Sequence, residues 1–297
     1  MKNYDYVAPY YARHKYDGTI TNSIIYPMTR ALYGKRVRQP IGGDFGFSTK
    51  LVELFLGRGK HVWGTDIARY GIDIWMTTIA LTEGAKICQS FLGGKIHDPK
   101  DPAQSIGPMF KQVVSTLFYL TDRYQDKWSV VRGSRPTAMY GFQSEVPPEP
   151  IPVTLEPMIA KFRQGVNEYK EYWLRLLPET TVRDIIDAAQ AQDKDFVFPA
   201  NLWVRTVYDF AIAYQRHFRE TPQQDHTELG DHLVTSLVSL FFGRTASFVK
   251  ETSSMPTYKA EELIERLCDE FEAMKPNFVR EWFNQEDTHD TQNGEKM

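Results

Sequence analysis

Residues 39–48 read QPIGGDFGFS and place a single carboxylate, Asp44, among three glycines. Glycine adopts backbone conformations that other residues avoid, and it lets another group approach the chain closely. Ser48 is suited to cap a helix that begins just after it. The stretch therefore predicts a binding loop in front of a helix, although a plain loop with a solvated aspartate fits the same residues.

The composition is that of an ordinary soluble globular protein, with 42% hydrophobic and 25% charged residues in 297. Cys88 and Cys268 lie far apart and form no metal or redox spacing, so we expect reduced thiols in the cytoplasm. No run of 18 apolar residues occurs, and we expect neither a signal peptide nor a membrane span.

Charge is spread unevenly along the chain. Residues 1–110 hold 14 Lys/Arg against 9 Asp/Glu, whereas the remainder holds 21 against 29. A mildly basic first part suits a small anionic ligand. Binding of nucleic acid asks for a clustered basic face, and none is present, so we expect no nucleic-acid partner.

The first part of the chain alternates between strand and helix patterns. We expect strands over residues 4–11 and 85–92, and helices from Ser48, over 66–81 with Gly71 as the weak point, and over 105–124. A further helix, capped by Thr21 or Asn22, should end at Gly34.

Five prolines in residues 141–157 predict a linker or wrapping segment, and only helical patterns follow it. We expect these helices over residues 158–177, 181–192, 199–218, 226–250 and 259–283. The predicted organisation is an α/β region over 1–140, a linker over 141–157, a helical domain over 158–285 and a disordered tail over 286–297.

Three residues beside glycines carry the candidate chemistry: Asp44, Asp73 in RYGID, and His97 in GKIHDP. Two carboxylates and an imidazole could together hold a polyol, an acid and a divalent cation, since histidine suits Mn²⁺ and oxygen ligands suit Mg²⁺. The alternative is a solvated Asp73 on a helix and a surface histidine in a turn. The sequence has no GxSxG elbow, P-loop or HExxH motif.

Taken in order, several segments resemble the second half of a GT-A glycosyltransferase of the family 2 type. They are GTITN (18–22), RQPIGGDFGFS (38–48), RYGIDI (69–74), GKIHDP (94–99) and SIGPMFKQV (105–113). The nearest resemblance is to the retaining glucosyl-3-phosphoglycerate synthases and the mannosylglycerate and glucosylglycerate synthases, and it covers about residues 4–120. It implies an incomplete GT-A type α/β catalytic domain followed by a mostly α-helical C-terminal region.

The resemblance also implies roles for individual residues. Asp73, beside the donor sugar and the acceptor, and Asp44, on the acceptor side, are the catalytic candidates. His97 corresponds to a histidine that binds Mg or Mn. The residues expected to contact substrate are Gly18, Thr19, Thr21, Gly43 and Tyr70.

The implied activity is metal-dependent, retaining transfer of a hexose from a nucleotide-diphospho-sugar to a small hydroxy acid. Thr19 stands where phosphoglycerate users place an arginine, which favours glycerate as the acceptor. The nucleotide-binding half of the family's fold is expected from a missing N-terminal half or a homodimer partner. The alternative is a non-catalytic binding or regulatory protein that retains only the acceptor cleft.

Overall fold

The computed structural model of the chain describes residues 3–95, 102–142, 150–220 and 226–284. Within these ranges a mixed α/β region with a small sheet is followed by a helical region, which confirms the predicted fold class at that level. The predicted tail and residues 143–149 of the proline-rich segment lie outside the described residues.

The main sheet has four strands in the order β3-β1-β4-β6. Strand β1 runs parallel to β4 and antiparallel to β3, and β4 runs parallel to β6. A separate parallel ladder joins β2 to β5. The predicted strands β1 and β4 are confirmed, whereas the other four are too short for alternation to reveal them. The strands are β1 Tyr6–Ala12, β2 Lys35–Arg36, β3 Gly46–Phe47, β4 Ile87–Gly94, β5 Arg135–Pro136 and β6 Ala138–Tyr140.

Helix boundaries in the first part follow local capping. Gly34 ends α1 in the left-handed conformation at φ 69°, and the Ser48 side chain accepts a hydrogen bond from the Leu51 amide to start α2. Both features agree with the sequence-based expectation. The helices are α1 Tyr26–Tyr33, α2 Thr49–Gly59, α3 Ile72–Thr82, α4 Pro102–Arg123 and α5 Gln125–Trp128.

The predicted cap at Thr21 or Asn22 is wrong. Residues 19–20 are already helical and continue through a π-helical turn, Thr21–Ile25, into α1. Packing of this segment inside the protein favours the helix over a side-chain cap, since both Thr21 and Asn22 are buried. The predicted weak point at Gly71 is confirmed, because α3 begins only after it.

The five predicted C-terminal helices are confirmed to within a few residues. Helices α6 and α9 touch most closely at Gly165, where an added Cβ would lie 2.1 Å from the Ser239 Cβ. Helix–helix contact at this distance requires glycine. The helices are α6 Leu155–Leu176, α7 Glu179–Gln190, α8 Ala200–Glu220, α9 His226–Thr252 and α10 Thr257–Phe283.

One buried apolar cluster runs through both parts, from Tyr6 in β1 to Trp282 in α10. It includes the apolar face of α9. Within the described residues, Asp231–Thr252 of α9 is the stretch long and apolar enough to cross a membrane, and 83% of its apolar window is buried inside the protein. The core helix of a globular protein is equally apolar and buried, so this stretch is only weak evidence for a membrane span.

Arg30 ties α1 to α10. Its side chain is 2% exposed, and its guanidinium pairs with Glu265 at 2.7 Å and with Asp269 and Glu272 at 2.6 Å each. A buried guanidinium requires such partners. The helical part is therefore fixed against the helix that leads into the glycine-rich loop.

Candidate functional site

The candidate site lies at the carboxyl ends of two parallel strands. Tyr11 is near the end of β1, and Lys95 directly follows β4. The Lys95 amide donates a hydrogen bond of 3.3 Å to the Ala12 carbonyl, which joins the two strand ends. The Lys95 ammonium lies 4.4 Å from the centroid of the Tyr11 ring, within cation–π distance. Ligands of open α/β sheets bind outside such strand ends.

Asp44 is brought to this point by two hydrogen bonds to one oxygen. The Tyr11 hydroxyl donates to Oδ2 at 2.5 Å, and the Lys95 ammonium donates to the same atom at 3.0 Å. These two donors hold the pKa of Asp44 below its usual value. The side chain is 60% exposed, so the carboxylate is ionised and open to a ligand.

Asp73 lies in the first turn of α3, where the backbone amide of Gly43 acts to lower the pKa of its carboxyl. Burial raises the pKa of Asp73 to about 6, against the opposing effects of that amide and of Lys95. The negative charge of Asp44 raises the pKa further. The structure thus brings the two predicted carboxylates close enough to influence each other, in contrasting environments.

Gln39 fastens the loop to β1. Its Oε1 accepts a hydrogen bond from the Tyr11 amide at 3.2 Å, and its Nε2 donates to the Tyr11 carbonyl at 2.8 Å. On the other side, the Thr77 hydroxyl of α3 donates to the Pro40 carbonyl at 2.7 Å. The loop that carries Asp44 is therefore held between the strand and the helix that carries Asp73.

The backbone of the loop that carries Asp44 can run between β1 and α3 only because residues 42 and 43 are glycines. A Cβ on Gly42 would lie 2.3 Å from the Pro9 Cγ, so a side chain there would collide with β1. Gly43 has φ +89°, a conformation that L-residues rarely adopt. Gly43 is also the residue whose amide lowers the pKa of Asp73.

Arg13 adds a second cation beside Tyr11. Its guanidinium carbon lies 5.8 Å from the Tyr11 ring centroid, and it pairs with Asp17 at 3.6 Å. Burial lowers the pKa of Arg13. Gly18, a predicted substrate contact, lies nearby, since its added Cβ would be 3.3 Å from the guanidinium.

Other predicted contact residues lie apart from the carboxylates. Thr19 and Thr21 are buried in the helical segment before α1, and Thr19 lines a small cavity with Arg244 of α9. Tyr70 is exposed, and its amide donates a hydrogen bond of 3.4 Å to Gln112 of α4. Within the described part of the chain, the contacts of these three residues do not connect them to Asp44.

Comparisons of this chain with protein-family models and with curated proteins find no match.

His97 lies outside the described residues. Within the described ranges, no three histidine, cysteine or acidic side chains lie together as a metal-binding group. Asp44 is paired with the Lys95 ammonium at 3.0 Å, which already balances its charge. The proposed ligand His97 is not among these residues, so the metal site stays a prediction.

Sequence reasoning missed Tyr11, Lys95 and Arg13. The sequence predicts residues 4–11 as a strand and places Lys95 in the GKIHDP segment, but it assigns neither Tyr11 nor Lys95 a role. A usable signal was present, because Tyr11 and Lys95 stand at the ends of the two predicted strands. Carboxyl ends of parallel strands meet at one edge of the sheet, so polar residues there are candidates for a site.

Proposed function

We propose that this chain carries the acceptor side of a GT-A type hexosyltransferase. The reaction moves a hexose from a nucleotide-diphospho-sugar to a small hydroxy acid such as glycerate. The observation that supports this most directly is the convergence of Asp44, Asp73 and Lys95 at the carboxyl ends of β1 and β4. Retention of configuration belongs to the proposal through the family resemblance alone.

Lys95 and Arg13 are the groups suited to the acceptor's carboxylate. Charge-assisted hydrogen bonds to a carboxylate are strong and directional. Lys95 is partly exposed, and its ammonium donates to Asp44 and to the Gly42 carbonyl, which leaves one donor for a bound hydroxy acid. Binding there orients the acceptor hydroxyl toward the sugar, and such orientation lowers the barrier of a two-substrate reaction.

Asp73 is the group suited to the reacting hydroxyl. A carboxyl with a pKa of about 6 is ionised at pH 7.5 and still accepts a proton more readily than an ordinary aspartate. Asp44, with its lowered pKa, serves as a hydrogen-bond acceptor for sugar or acceptor hydroxyls. His97 is the proposed ligand for Mg or Mn, a cation that would neutralise charge on the leaving diphosphate.

Calorimetric titration with glycerate tests the acceptor site directly. We expect binding to the wild-type chain and at least tenfold weaker binding to Asp73→Asn. Asp209→Asn is the matched control, since Asp209 is a buried carboxyl of α8 with a similarly raised pKa and a hydrogen bond from Thr181. Absence of glycerate binding, or equal weakening in both variants, would contradict the proposal.

Incubation with glycerate, Mn²⁺ and a panel of nucleotide-diphospho-hexoses, followed by mass spectrometry, tests transfer. If a homodimer partner supplies the nucleotide-binding side, we expect a hexosyl-glycerate product that is absent in Asp73→Asn. Glycerate binding without product from any donor would favour either a missing nucleotide-binding half or the non-catalytic alternative.

A further inference from the structure

Two large cavities adjoin each other away from the carboxylates of the candidate site. One, of about 750 Å³, lies between α2, α3, α4 and α8, and the other, of about 710 Å³, lies between α4, α6 and α9. Both fall in the range of roughly 300–1,000 Å³ that small-molecule sites occupy. Asp44 and Asp73 line neither cavity.

Helix α3 separates the first cavity from the candidate site. Trp75 and Ile79 of α3 line the cavity. At about 100° per residue, these side chains project from the side of α3 opposite to Asp73. A ligand in the cavity therefore would not occupy the site around Asp73.

Asp66 and Asp231 line both cavities and so mark the place where they meet. The Asp231 carboxylate pairs with the Lys111 ammonium at 2.6 Å. Burial raises the pKa of Asp66, and the charge of Asp231 raises it further. Two interacting carboxylates at the junction offer hydrogen-bond acceptors to a ligand that passes between the cavities.

The lining of the first cavity is balanced in charge. Three acidic residues, Asp66, Asp126 and Asp231, face three that carry a fixed positive charge, Arg58, Arg123 and Lys127. A phosphate or sulfate group would bind only weakly to such a lining, because anion-binding sites have an excess of positive charge.

Arg58 is also committed to protein partners. It donates to the Tyr124 hydroxyl at 2.7 Å and to Glu83 at 2.6 Å. The remaining wall combines aromatic rings with hydroxyls, among them Tyr119 and Ser115, whose buried hydroxyl has no hydrogen-bond partner. Ring faces and mixed donors and acceptors suit a neutral polyhydroxylated ligand.

We propose that the two cavities form one groove that binds a neutral oligosaccharide. Asp66 and Asp231 accept hydrogen bonds from sugar hydroxyls at the middle of the groove, and Tyr119 packs against a sugar ring in the first cavity. The combined volume of the cavities favours a chain of sugars over a single ring. This site is independent of the proposed transfer chemistry and stands even if that proposal fails.

Calorimetry with the full chain tests the groove. The probes are neutral hexasaccharides and disaccharides of glucose and of mannose, with hexagalacturonate as an anionic probe of equal length. We expect at least one neutral hexasaccharide to bind at least tenfold more tightly than its disaccharide and than hexagalacturonate. Tyr119→Ala should weaken that binding at least tenfold. Tyr258→Ala, an exposed tyrosine of α10, should leave the affinity within twofold.

Asp231→Asn provides a second variant at the junction, where we expect a loss of at least threefold. The side chain is partly exposed, so the substitution leaves the core untouched. Any of three results would overturn the proposal: no binding of a neutral hexasaccharide at millimolar concentration, tighter binding of hexagalacturonate, or wild-type affinity in Tyr119→Ala. Equal affinity for hexasaccharide and disaccharide would show that the two cavities do not act as one groove.

Discussion

The Tyr11 hydroxyl donates a 2.5 Å hydrogen bond to Asp44, 33 residues further along the chain. The bond fastens the glycine-rich loop to the end of β1. Lys95, from the end of β4, bonds the same Asp44 oxygen and lies over the same tyrosine ring. Three separate segments therefore meet around one exposed carboxylate. The contribution of each segment can be tested by replacing the side chain that it supplies.

Tyr11→Phe should raise the pKa of Asp44 toward its usual value, because the variant removes one of the two donors that lower it. The free energy of unfolding should change by less than about 1 kcal/mol, since the bond is exposed. An NMR titration of the Asp44 side-chain carboxyl carbon measures the effect. Tyr10→Phe, which removes the hydroxyl of the neighbouring ring packed on Phe91, is the control. An unchanged Asp44 titration in Tyr11→Phe would contradict the assigned hydrogen bond.

Lys95→Gln should weaken glycerate binding at least tenfold while leaving the fold intact, because the side chain is partly exposed and supplies a positive charge to the site. Lys86→Gln removes an equal charge just before the opposite end of β4 and should leave glycerate affinity unchanged. Calorimetry on the two variants separates a local contact from a general effect of net charge. Similar affinities for the two variants would argue against a role for Lys95.

Asp73→Asn should stabilise the protein at pH 8. The folded-state pKa of about 6 lies above the unfolded value of 3.8, so the folded state binds the proton more tightly. Stability then falls as pH rises from about 4 to 6 and stays lowered above that range. Removing the charge should recover about 1–3 kcal/mol at pH 8 and almost nothing at pH 4. Urea unfolding at both pH values measures the difference.

Asp209→Asn is the control for that interpretation. Burial likewise raises the pKa of Asp209 to about 6, so its replacement should give a stability gain with the same pH dependence. Only Asp73→Asn should also lose glycerate binding. A stability gain in Asp73→Asn that is equal at pH 4 and pH 8 would show that the ionisation of Asp73 is not its cause.

Arg30→Met should destabilise the protein by about 3 kcal/mol, because it leaves three carboxylates of α10 without their shared cation. Arg183→Met removes the exposed pair with Glu179 on α7 and should cost less than about 0.5 kcal/mol. The midpoints of urea unfolding give both values. Equal costs for the two variants would show that the buried arginine does not hold α1 against α10.

The long elements were predictable because their signals are local. The periodicity of β1, β4 and the C-terminal helices, the cap at Ser48 and the stop at Gly34 depend on residues within a few positions of each other. The candidate carboxylates Asp44 and Asp73 were found for a similar reason, since glycines mark their neighbourhoods in the sequence.

The missed features depend on distant residues. The residues around Thr19 and Thr21 are mostly polar, as in an exposed loop, yet both threonines are buried in a helical segment. Helices α9 and α10 lie around Thr19. Lys95 gains its role only because β4 lies beside β1 and brings it to Tyr11. Strand pairing and helix docking are tertiary facts, and local sequence patterns do not encode them directly.

Gly43→Ala should raise the pKa of Asp73 above 6 and weaken glycerate binding. Gly43 has φ +89°, so alanine there strains the backbone by about 1–2 kcal/mol and turns the amide away from the Asp73 carboxylate that it stabilises. Gly84→Ala is a matched control, since Gly84 has φ +70° with open space around it in the turn before β4. Both variants should lose similar stability in urea unfolding, which measures the backbone strain. Only Gly43→Ala should shift the NMR titration of Asp73, because the Gly43 amide is the one that lowers the pKa of that carboxyl. A shift of Asp73 in both variants, or in neither, would mean that the Gly43 amide does not set the charge state of the site.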